Sequence, residues 1–537
     1  MTRTHGDQFD YVLVGAGSAG CVLAARLSEQ ADVTVCVLEA GPRDTNPFIH
    51  IPVGWMKLMT NPGVNWMYEA EGSDWTGGRK IAVPRGKTLG GSSAINGNIF
   101  NRGAPSDFDQ WAQLGNAGWG YADILPLFRR MESWQGPDPD ELRGQDGPWR
   151  VTPSPWTHPL CEAFLDSAET LGIPRNPDYN GARQFGASYA QRTIAGGRRQ
   201  SAATGFLKPA LNRPNLSVRT GAHATGLEFD GRRAVGVTYQ KSGQTQVVRA
   251  RREVILCGGV INSPQLLQLA GIGDPTHLQA LGIPLRHALP GVGQNLRDHF
   301  TPRFTARVRG TRTFNERSRG LPLLAEIAKY AVGRPSILGL PSTACYAFAK
   351  SDPVLEDSDL QITFMPACYK DGHQSRLDDE PGMTLAAWQQ RPESLGHVRA
   401  QSADPFDRPE IQSNYLSAEY DQRVLLAGLK LIRQIMRADP MRPYFDGEIY
   451  PGDTVRTDED LLNTARERGT TTFHIMGTCR MGPTSDPTAV VDSRLRVHGV
   501  DGLRVADASI FPTMPSANTN ASVLVVGEKA ADLVRNG

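Results

Sequence analysis

A glycine-rich turn near the N-terminus constrains the fold of this chain more than any other feature. The apolar run Tyr11 to Val14 predicts a strand, and the motif Gly15-x-Gly17-x-x-Gly20 follows it directly. From Cys21 onward the apolar residues recur at helical spacing. The sequence therefore predicts a strand, a tight turn and a helix, in the order in which nucleotide-binding α/β proteins begin.

A second strand and an acidic residue complete this unit. The apolar run Val33 to Leu38 ends at Glu39, which lies 19 residues after Gly20, the spacing of a dinucleotide-binding βαβ unit. In such a unit Gly15 permits the tight turn and Gly17 lets the backbone approach a pyrophosphate. The helix N-terminus attracts the anion, and Glu39 accepts hydrogen bonds from an adenosine ribose. The pattern predicts ADP-ribose-type binding, and NAD and FAD fit it equally well.

The charge and the cysteine content argue against several other classes of protein. The 537 residues carry a net charge of +1, so we expect no binding to nucleic acid. The seven cysteines form no CxxC pair and no Cys/His zinc spacing, so we expect no metal site. The opening residues MTRTHGDQ lack the apolar core of a secretory signal, and no stretch approaches the ~18 apolar residues of a membrane span. We expect a cytoplasmic protein without a transmembrane segment; peripheral membrane contact stays open.

The rest of the chain divides into blocks of different character. The polar stretch 133–146, with Pro and Gly, predicts an excursion over the surface. A second strand, turn and helix begins at the apolar run Val254 to Cys257. Residues 301–455 lack glycine fingerprints and contain a strand-like piece, Leu360 to Met365, so they predict a separate substrate domain. This block also contains a helix with one apolar face, formed by Leu425, Leu429, Ile432 and Met436.

A second glycine-rich segment, Pro84 to Gly103, points to an extended ligand. It combines five glycines with small polar residues, which lets the backbone run close against a long molecule, although a glycine-rich surface loop has the same composition. Together with the turn at Gly15, the later segments CGGVINSPQLLQLAGIG, PGVGQNLRDH, FHIMGTCRMG and RVADASIFPTMPSANTNASVLVVGEKAADL decide between these readings. In this order, the segments resemble the glucose/methanol/choline (GMC) family of FAD-dependent oxidoreductases from Tyr11 to the C-terminus.

The resemblance implies an α/β fold with two interleaved parts. One is a doubly wound, Rossmann-like FAD-binding domain, which we place at residues 1–155, 215–300 and 456–537. The other is an antiparallel-sheet α+β substrate-binding domain over the isoalloxazine ring, which we place at residues 156–214 and 301–455. Members of the family with a covalently attached flavin carry His where this chain has Ile95, so the resemblance implies noncovalent FAD.

The resemblance also implies which residues hold the cofactor. They lie in the two glycine-rich segments, at the end of the second strand and near the C-terminus: Gly15, Gly17, Ser18, Ala19, Gly20, Glu39, Ala40, Gly86, Leu89, Gly90, Gly91, Asn96, Gly97, Asn98, Ala224, Asp507, Ala508, Asn518 and Asn520.

Alcohol oxidation needs a general base, because the hydroxyl proton must leave together with a hydride from the same carbon. An imidazole suits this role because its pKa lies near neutral pH. Of the 11 histidines, His474 in H-x-x-G-T matches the family's base, and we take the others as structural. Asn518, 44 residues later, matches the second catalytic position, where its amide would donate to the substrate oxygen. We expect His474 to take the proton, flavin N5 to receive the hydride and an aldehyde to leave.

The substrate and the electron acceptor are less constrained. In choline-oxidising relatives a Glu pairs with the quaternary ammonium, and an ungapped comparison puts that position near Ala344, which favours an uncharged aliphatic or aromatic primary alcohol. Trp66 and Trp388 either line an apolar pocket or pack in the core, and Cys479 is expected to be a small buried residue. The acceptor is O2 or a quinone, with a dehydrogenase favoured over an oxidase. The alternatives are a choline dehydrogenase, a hydroxynitrile lyase of the same family or a noncatalytic flavin-binding protein.

Overall fold

A mixed sheet assembled from distant parts of the chain carries the predicted nucleotide-binding unit. The computed structural model describes residues 7–138, 140–370 and 376–537. The predicted strand, turn, helix and strand are confirmed as Gln8–Val14, Ser18–Leu27 and Val35–Glu39. In spatial order the strands of this sheet are Leu216–Thr220, Val35–Glu39, Gln8–Val14, Gln244–Leu256, Arg233–Lys241 and His223–Asp230, with Leu503–Val505 also paired to Gln244–Leu256.

The long strand Gln244–Leu256 changes partners along its length. Its first half pairs antiparallel with Arg233–Lys241, and its second half pairs parallel with Gln8–Val14 and Leu503–Val505. The central parallel strands Gln8–Val14 and Val35–Glu39 and the second half of Gln244–Leu256 consist mainly of buried apolar residues, as expected of a sheet that is covered on both faces. Their carboxyl ends therefore meet at one edge of the sheet, where ligands of doubly wound proteins bind.

The first and last helices of the nucleotide-binding unit pack against each other. Ser18–Leu27 lies against the C-terminal helix Asn520–Arg535. The carboxylate of Glu528 is fully buried between them and pairs with Arg26 at 2.8 Å and with Arg130 at 2.7 Å. A buried carboxylate is retained at low cost only when it is paired in this way, so the two ends of the chain are held together electrostatically as well as by packing.

A second, antiparallel sheet confirms the expected α+β part of the fold. In spatial order its strands are Phe445–Tyr450, Arg303–Val308, Gly382–Gln389, Leu360–Met365, Cys345–Ala349 and Gly186–Tyr189. The helix Glu419–Arg437 covers one face of this sheet with the predicted apolar residues, all of which are buried. Side chains alternate along each strand, so the other face of the sheet is free to line a cavity.

The remaining elements are short and connect these layers. The further α-helices are Pro47–His50, Trp55–Leu58, Pro105–Gln113, Tyr121–Met131, Pro159–Thr170, Lys208–Ala210, Gly259–Leu269, Pro275–Ala280, Phe314–Arg317, Gly320–Ala331 and Asp458–Arg468. Single turns of 3₁₀- or π-helix are Pro52–Gly54, Asp74–Thr76, Gly91–Ala94, Ala203–Leu207, Ile337–Gly339 and Ala508–Ile510. Two-stranded pairs are Tyr68–Ala70 with Ile81–Val83, Glu132–Trp134 with Trp149–Val151, Ile194–Ala195 with Arg198–Arg199, Ile272–Gly273 with His287–Ala288, Phe300–Thr301 with Thr470–Thr471, and His397–Arg399 with Glu410–Gln412.

The polar stretch 133–146 is only partly the surface excursion that the sequence predicts. Its residue 139 lies outside the described residues, but Arg143 is fully buried and pairs with Asp178 at 2.8 Å and with Glu132. The prediction was wrong for Arg143 because a buried ion-pair cluster has the same polar composition as a solvated loop. The limits of the two domains stay a prediction; residues 202–210, placed with the substrate-binding part, contribute to the hydrophobic cluster around the first sheet.

Candidate active site

A cavity, here called the central cavity, extends from the glycine turn to the free face of the second sheet. Its lining includes Gly15 and Glu39 at one end and His474, Trp388 and Arg303 at the other. The edge of the first sheet and the free face of the second sheet therefore enclose one continuous space. A ligand in this space contacts both the predicted dinucleotide site and the predicted base.

The glycine turn presents bare backbone to the central cavity. Gly15 has a φ of +106°, and a Cβ there would collide with the carbonyl oxygen of Cys257, so packing alone requires glycine. Packing does not require glycine at position 17, because a Cβ added there would lie 3.8 Å from the carbonyl oxygen of Cys257, an ordinary contact distance. Gly17 also lines the cavity and begins the helix Ser18–Leu27 without any side-chain cap. The uncapped N–H groups at this end make a site for a phosphate.

Glu39 lies at the end of its strand with its carboxylate inside the protein. One carboxylate oxygen accepts the N–H of Ala16 at 2.9 Å and the other accepts the N–H of Gly41 at 2.8 Å. Burial raises the pKa of Glu39 to about 7, although these two backbone hydrogen bonds oppose the shift. The carboxylate is thus fixed at the cavity wall with acceptor capacity to spare for a ribose hydroxyl.

The C-terminal segment closes the other side of the nucleotide end. Asp507 accepts the N–H of Gly259 at 2.8 Å and the hydroxyl of Ser263 at 2.6 Å, and burial raises its pKa. Asn520 donates from its amide to the hydroxyl of Ser18 at 2.9 Å. This hydrogen bond ties the start of the last helix to the start of the first, so both helix N-termini lie at the same place in the cavity.

Most of the predicted cofactor residues line the central cavity, but four do not. The lining residues are Gly15, Gly17, Ser18, Ala19, Glu39, Ala40, Gly86, Gly91, Asn96, Gly97, Ala224, Asp507, Ala508, Asn518 and Asn520. Gly20, Leu89, Gly90 and Asn98 lie behind them: the N–H of Gly90 donates to Ala16 O at 2.8 Å, and buried Asn98 donates to Pro52 O at 3.1 Å. These four residues lie behind the lining residues and support the cavity wall.

The predicted base His474 is buried and held in one tautomer by a second histidine. The Nε2 atom of His299 lies 2.7 Å from the carbonyl oxygen of Gln390, which only accepts, so Nε2 carries the proton of His299. Burial lowers the pKa of His299 to about 4, so it is neutral at neutral pH and its Nδ1 is an acceptor. Because Nδ1 of His474 lies 2.9 Å from that acceptor, Nδ1 of His474 carries the proton. The Nε2 atom of His474 is left unprotonated, with a lone pair that can accept a hydrogen bond.

The orientation of Asn518 agrees with this assignment. Its Oδ1 accepts from the hydroxyl of Tyr346 and from the amide of Gln361, both at 3.4 Å. The amide nitrogen of Asn518 therefore points toward Nε2 of His474, at 2.9 Å, and donates to it. Both sides of the His474 ring agree that Nε2 is the basic atom, and it lies beside a hydrogen-bond donor.

The surroundings of His474 keep it uncharged. Burial lowers its pKa well below the usual value, and the nearby His299 and Arg85 lower it further. The backbone N–H of His474 donates to Asp298 at 2.9 Å, and Asp298 also accepts from Tyr415 at 2.7 Å. His474 is therefore a neutral imidazole at neutral pH, positioned by its backbone and able to accept a proton.

The free face of the second sheet forms the far wall of the cavity beside His474. It contributes Tyr346, Thr363, Thr384, Ala386 and Trp388, and the Trp388 ring centroid lies 6.2 Å from that of His474. Trp66 also lines the cavity, so both tryptophans belong to the wall. Cys479 is fully buried, as expected.

The position proposed for a choline-binding glutamate needs correction. Ala344 is not part of the cavity lining, and its side chain packs against the hydrophobic cluster of the second sheet. The neighbouring residues Ser342 and Thr343, rather than Ala344, line the cavity, so Ala344 itself says nothing about the charge of the substrate. The argument about substrate charge therefore has to be made from the lining residues.

Sequence reasoning missed two side chains of this site. His299 was taken as structural although it lies in the quoted segment PGVGQNLRDH, and the fold brings it to His474 from 175 positions away. Arg303 follows four residues later, in the alternating strand RFTARV, and lines the cavity. An arginine in a strand of alternating polarity is usually solvated, so only its place in the sheet distinguishes it.

Comparison with known proteins decides the family. Family models described as GMC oxidoreductase match residues 9–301 and 392–527, which is most of the chain. The chain belongs to the GMC oxidoreductase family. Among similar GMC proteins, an alcohol dehydrogenase [acceptor] of Pseudomonas putida is 39% identical over 98% of this chain and 95% of its own length. An oxygen-dependent choline dehydrogenase of Staphylococcus aureus is also 39% identical, over 98% of this chain and 93% of its own length.

A solved GMC structure supports the fold over its whole length. Pyridoxine 4-oxidase from Mesorbium loti superimposes with a TM-score of 0.89 at 30% identity, covering 98% of this chain and 99% of that one. Within the described part of this GMC chain, none of the helices has the length and apolarity to cross a bilayer. The same described residues contain no group of three or more His, Cys, Asp or Glu side chains that could hold a metal ion.

Proposed function

We propose that this GMC protein is an FAD-dependent oxidoreductase that converts a primary alcohol to its aldehyde in the central cavity, with His474 as the general base. The observation that carries the proposal is the unprotonated Nε2 of His474, which accepts from the amide of Asn518 in a cavity continuous with the predicted dinucleotide site. Oxidation at a CH-OH group is the activity of this family, and relatives named as alcohol and choline dehydrogenases match the chain over nearly its full length.

The residues at the nucleotide end fit FAD. The bare turn at Gly17, the uncapped N-terminus of Ser18–Leu27 and the fixed carboxylate of Glu39 suit a pyrophosphate and a ribose. Asp507 and Asn520 lie where the other half of the dinucleotide would run. When bound, FAD supplies an acceptor for the hydride. We propose that it binds without a covalent link, because Ile95 stands where covalently flavinylated members carry His.

His474 and Asn518 divide the work on the substrate hydroxyl. The hydroxyl donates to Nε2 of His474, and its proton moves to that atom as the C–H bond breaks. The Asn518 amide donates to the oxygen while it carries negative charge, which stabilises the transition state without competing for the proton. The Nδ1–H of His474 keeps its hydrogen bond to His299 throughout, so the ring does not turn. Burial disfavours the imidazolium, which promotes return of the proton to solvent after the aldehyde leaves.

Two alternatives are less well supported by the site. A hydroxynitrile lyase would use the same base, but the named relatives oxidise rather than cleave. Choline carries a permanent cation, and the carboxylates that line the described part of the cavity, Glu39 and Asp507, lie at the nucleotide end. The electron acceptor, O2 or a quinone, and the cytoplasmic location remain predictions.

Anaerobic mixing of the holoprotein with alcohols tests the proposal. Bleaching of the visible flavin band with aldehyde formation is expected, and it should slow by roughly 10²–10⁴-fold in His474→Ala. His397→Gln is the matched control, because His397 pairs with Glu410 at 2.8 Å outside the cavity lining. Equal rates in His474→Ala and wild type would refute the base, and cyanide release from a cyanohydrin without bleaching would establish the lyase. Adding O2 or a quinone to the reduced protein then identifies the acceptor.

A further inference from the structure

We propose that Arg303 binds a carboxylate at the end of the substrate remote from the oxidised carbon, so that the preferred alcohol is an anionic hydroxy acid. The inference rests on the alcohol oxidation proposed above and names the substrate class of that site. The sequence led us to expect an uncharged alcohol, whereas this proposal gives the substrate a negative charge.

Arg303 occupies the cavity face of the second sheet. In the strand Arg303–Val308 the side chains of Phe304, Ala306 and Val308 are buried in the hydrophobic cluster under the sheet, so Arg303 points the other way. There it lines the central cavity, and its guanidinium carbon lies 5.4 Å from the ring centroid of Tyr369. The cation is therefore held inside the cavity by a ring contact.

The guanidinium of Arg303 has no counter-ion within the described residues, unlike its neighbour on the same face. Arg307, four positions further, pairs with Asp378 at 3.0 Å and with Glu380 at 3.1 Å. Among the ion pairs of the described chain, none involves Arg303, and burial lowers its pKa with only Tyr369 opposing the shift. A half-buried guanidinium that faces a cavity without a carboxylate partner can bind a ligand carboxylate through charge-assisted, bidentate hydrogen bonds.

The register of the sheet sets the distance between this cation and the base. Arg303 is paired directly with Ala386, and Trp388 lies two residues further along the same strand and on the same face. Two residues of a strand span about 7 Å. The Trp388 ring in turn lies 6.2 Å from that of His474, and we therefore infer a substrate whose hydroxyl and carboxylate are several bonds apart. A benzylic alcohol with a para carboxylate has this shape.

The other charges near the base favour an anion as well. Arg85 also lines the cavity, and it donates to the backbone carbonyl oxygen of Phe473 at 2.6 Å. The nearby carboxylate of Asp298 is fully enclosed by its donors Tyr415 and Thr471 and does not line the cavity. Arg303 and Arg85 are therefore the charged side chains that line the described part of this end of the cavity; Asp298 offsets part of the Arg85 charge, but no carboxylate lies in the lining there to attract a quaternary ammonium.

The test compares 4-(hydroxymethyl)benzoate with its methyl ester on the holoprotein, using the ratio of the two kcat/KM values for flavin reduction. We expect the acid to be preferred in the wild type and the acid-to-ester ratio to fall by roughly 10- to 100-fold in Arg303→Met, with partial recovery in Arg303→Lys. Arg307→Met is the matched control and should keep the wild-type ratio. A wild type that prefers the ester, or a ratio that is the same in Arg303→Met, overturns the proposal.

A binding measurement separates this inference from the proposed activity. Calorimetric titration of the holoprotein with 4-methylbenzoate, which has no hydroxyl to oxidise, should give a Kd that rises by roughly 10- to 100-fold in Arg303→Met. If neither alcohol bleaches the flavin but this Kd responds, the proposed oxidation fails and the anion site stands. If the alcohols bleach the flavin and the Kd does not respond, the anion site fails and the oxidation stands. Should Arg303→Met not fold, the same titration of Arg303→Lys decides.

Discussion

Replacing Asn518 by Asp tests whether the free base form of His474 drives the reaction. The amide nitrogen of Asn518 donates to Nε2 of His474 at 2.9 Å, whereas a carboxylate in the same place can only accept. The variant is therefore expected to hold a proton on Nε2 of His474. It also removes the donor that stabilises the substrate oxygen.

The magnitude follows from the burial of the pair. In the wild type, burial, His299 and Arg85 keep the pKa of His474 well below its usual value, so the base is free at neutral pH. An opposite charge at hydrogen-bond distance raises a histidine pKa by about 1–3 units. Activity requires the neutral form, so the acidic limb of the kcat/KM profile should move to higher pH by about the same 1–3 units. Above that limb, loss of the donor should leave a deficit of roughly 10²–10³-fold.

Stopped-flow flavin reduction over a range of pH separates the two effects. Asn518→Ala is the matched variant, because it removes the donor without adding a charge. It should lower the plateau by a similar factor and leave the acidic limb near its wild-type position. The acidic limb of the kcat/KM profile of Asn518→Asp will coincide with that of Asn518→Ala only if the charge state of His474 does not control the reaction. That result would also remove the support for the tautomer assignment.

Three further predictions concern the cofactor site and the fold. Glu39→Gln should weaken FAD binding by roughly 10- to 100-fold at a pH above 7, where Glu39 is ionised, because hydrogen bonds to a charged group are stronger than those to an amide; titration of apoprotein with FAD measures the Kd. Gly15→Ala should lower the melting temperature of the apoprotein, because the position has a positive φ and an added Cβ would collide with Cys257 O. Gly17→Ala should leave that melting temperature unchanged and weaken FAD binding. The reverse pattern would contradict the roles assigned to the two glycines. Gly428→Val should destabilise by about 1–3 kcal/mol in urea unfolding, because a Cβ there lies 2.9 Å from side chains of the second sheet; an unchanged midpoint would show that helix Glu419–Arg437 can shift.

Strands and helices whose apolar residues repeat at one regular spacing were predictable from the sequence. The strand Leu360–Met365 has the bounds that its apolar run predicted, and the helix Glu419–Arg437 buries the four predicted residues. The turn at Gly15 was predictable for the same reason, since its residue types and spacing meet a backbone requirement within one short segment. In each case the information lies within about twenty neighbouring residues.

Features that depend on distant residues were not predictable. Arg143 lies in a polar stretch and becomes buried because Glu132 and Asp178 are brought to it by the fold. His299 acquires its role from a hydrogen bond to His474 and another to Gln390 O, neither of which leaves a mark in the local sequence. Arg303 differs from a solvent-exposed strand arginine only because its face of the sheet lines the central cavity. Such roles follow from tertiary placement, which periodicity does not encode.

The hydrogen bond between Ser18 and Asn520 joins positions 502 residues apart, so the predicted pyrophosphate site combines helices that are synthesised at widely separated times. At about 5–20 residues per second, roughly half a minute to two minutes of synthesis separates them. Throughout that time the N-terminal glycine turn lacks the wall that Asn520 and its helix provide. We therefore expect flavin capture only after the helix Asn520–Arg535 has been made, and a chain truncated before that helix should be colourless.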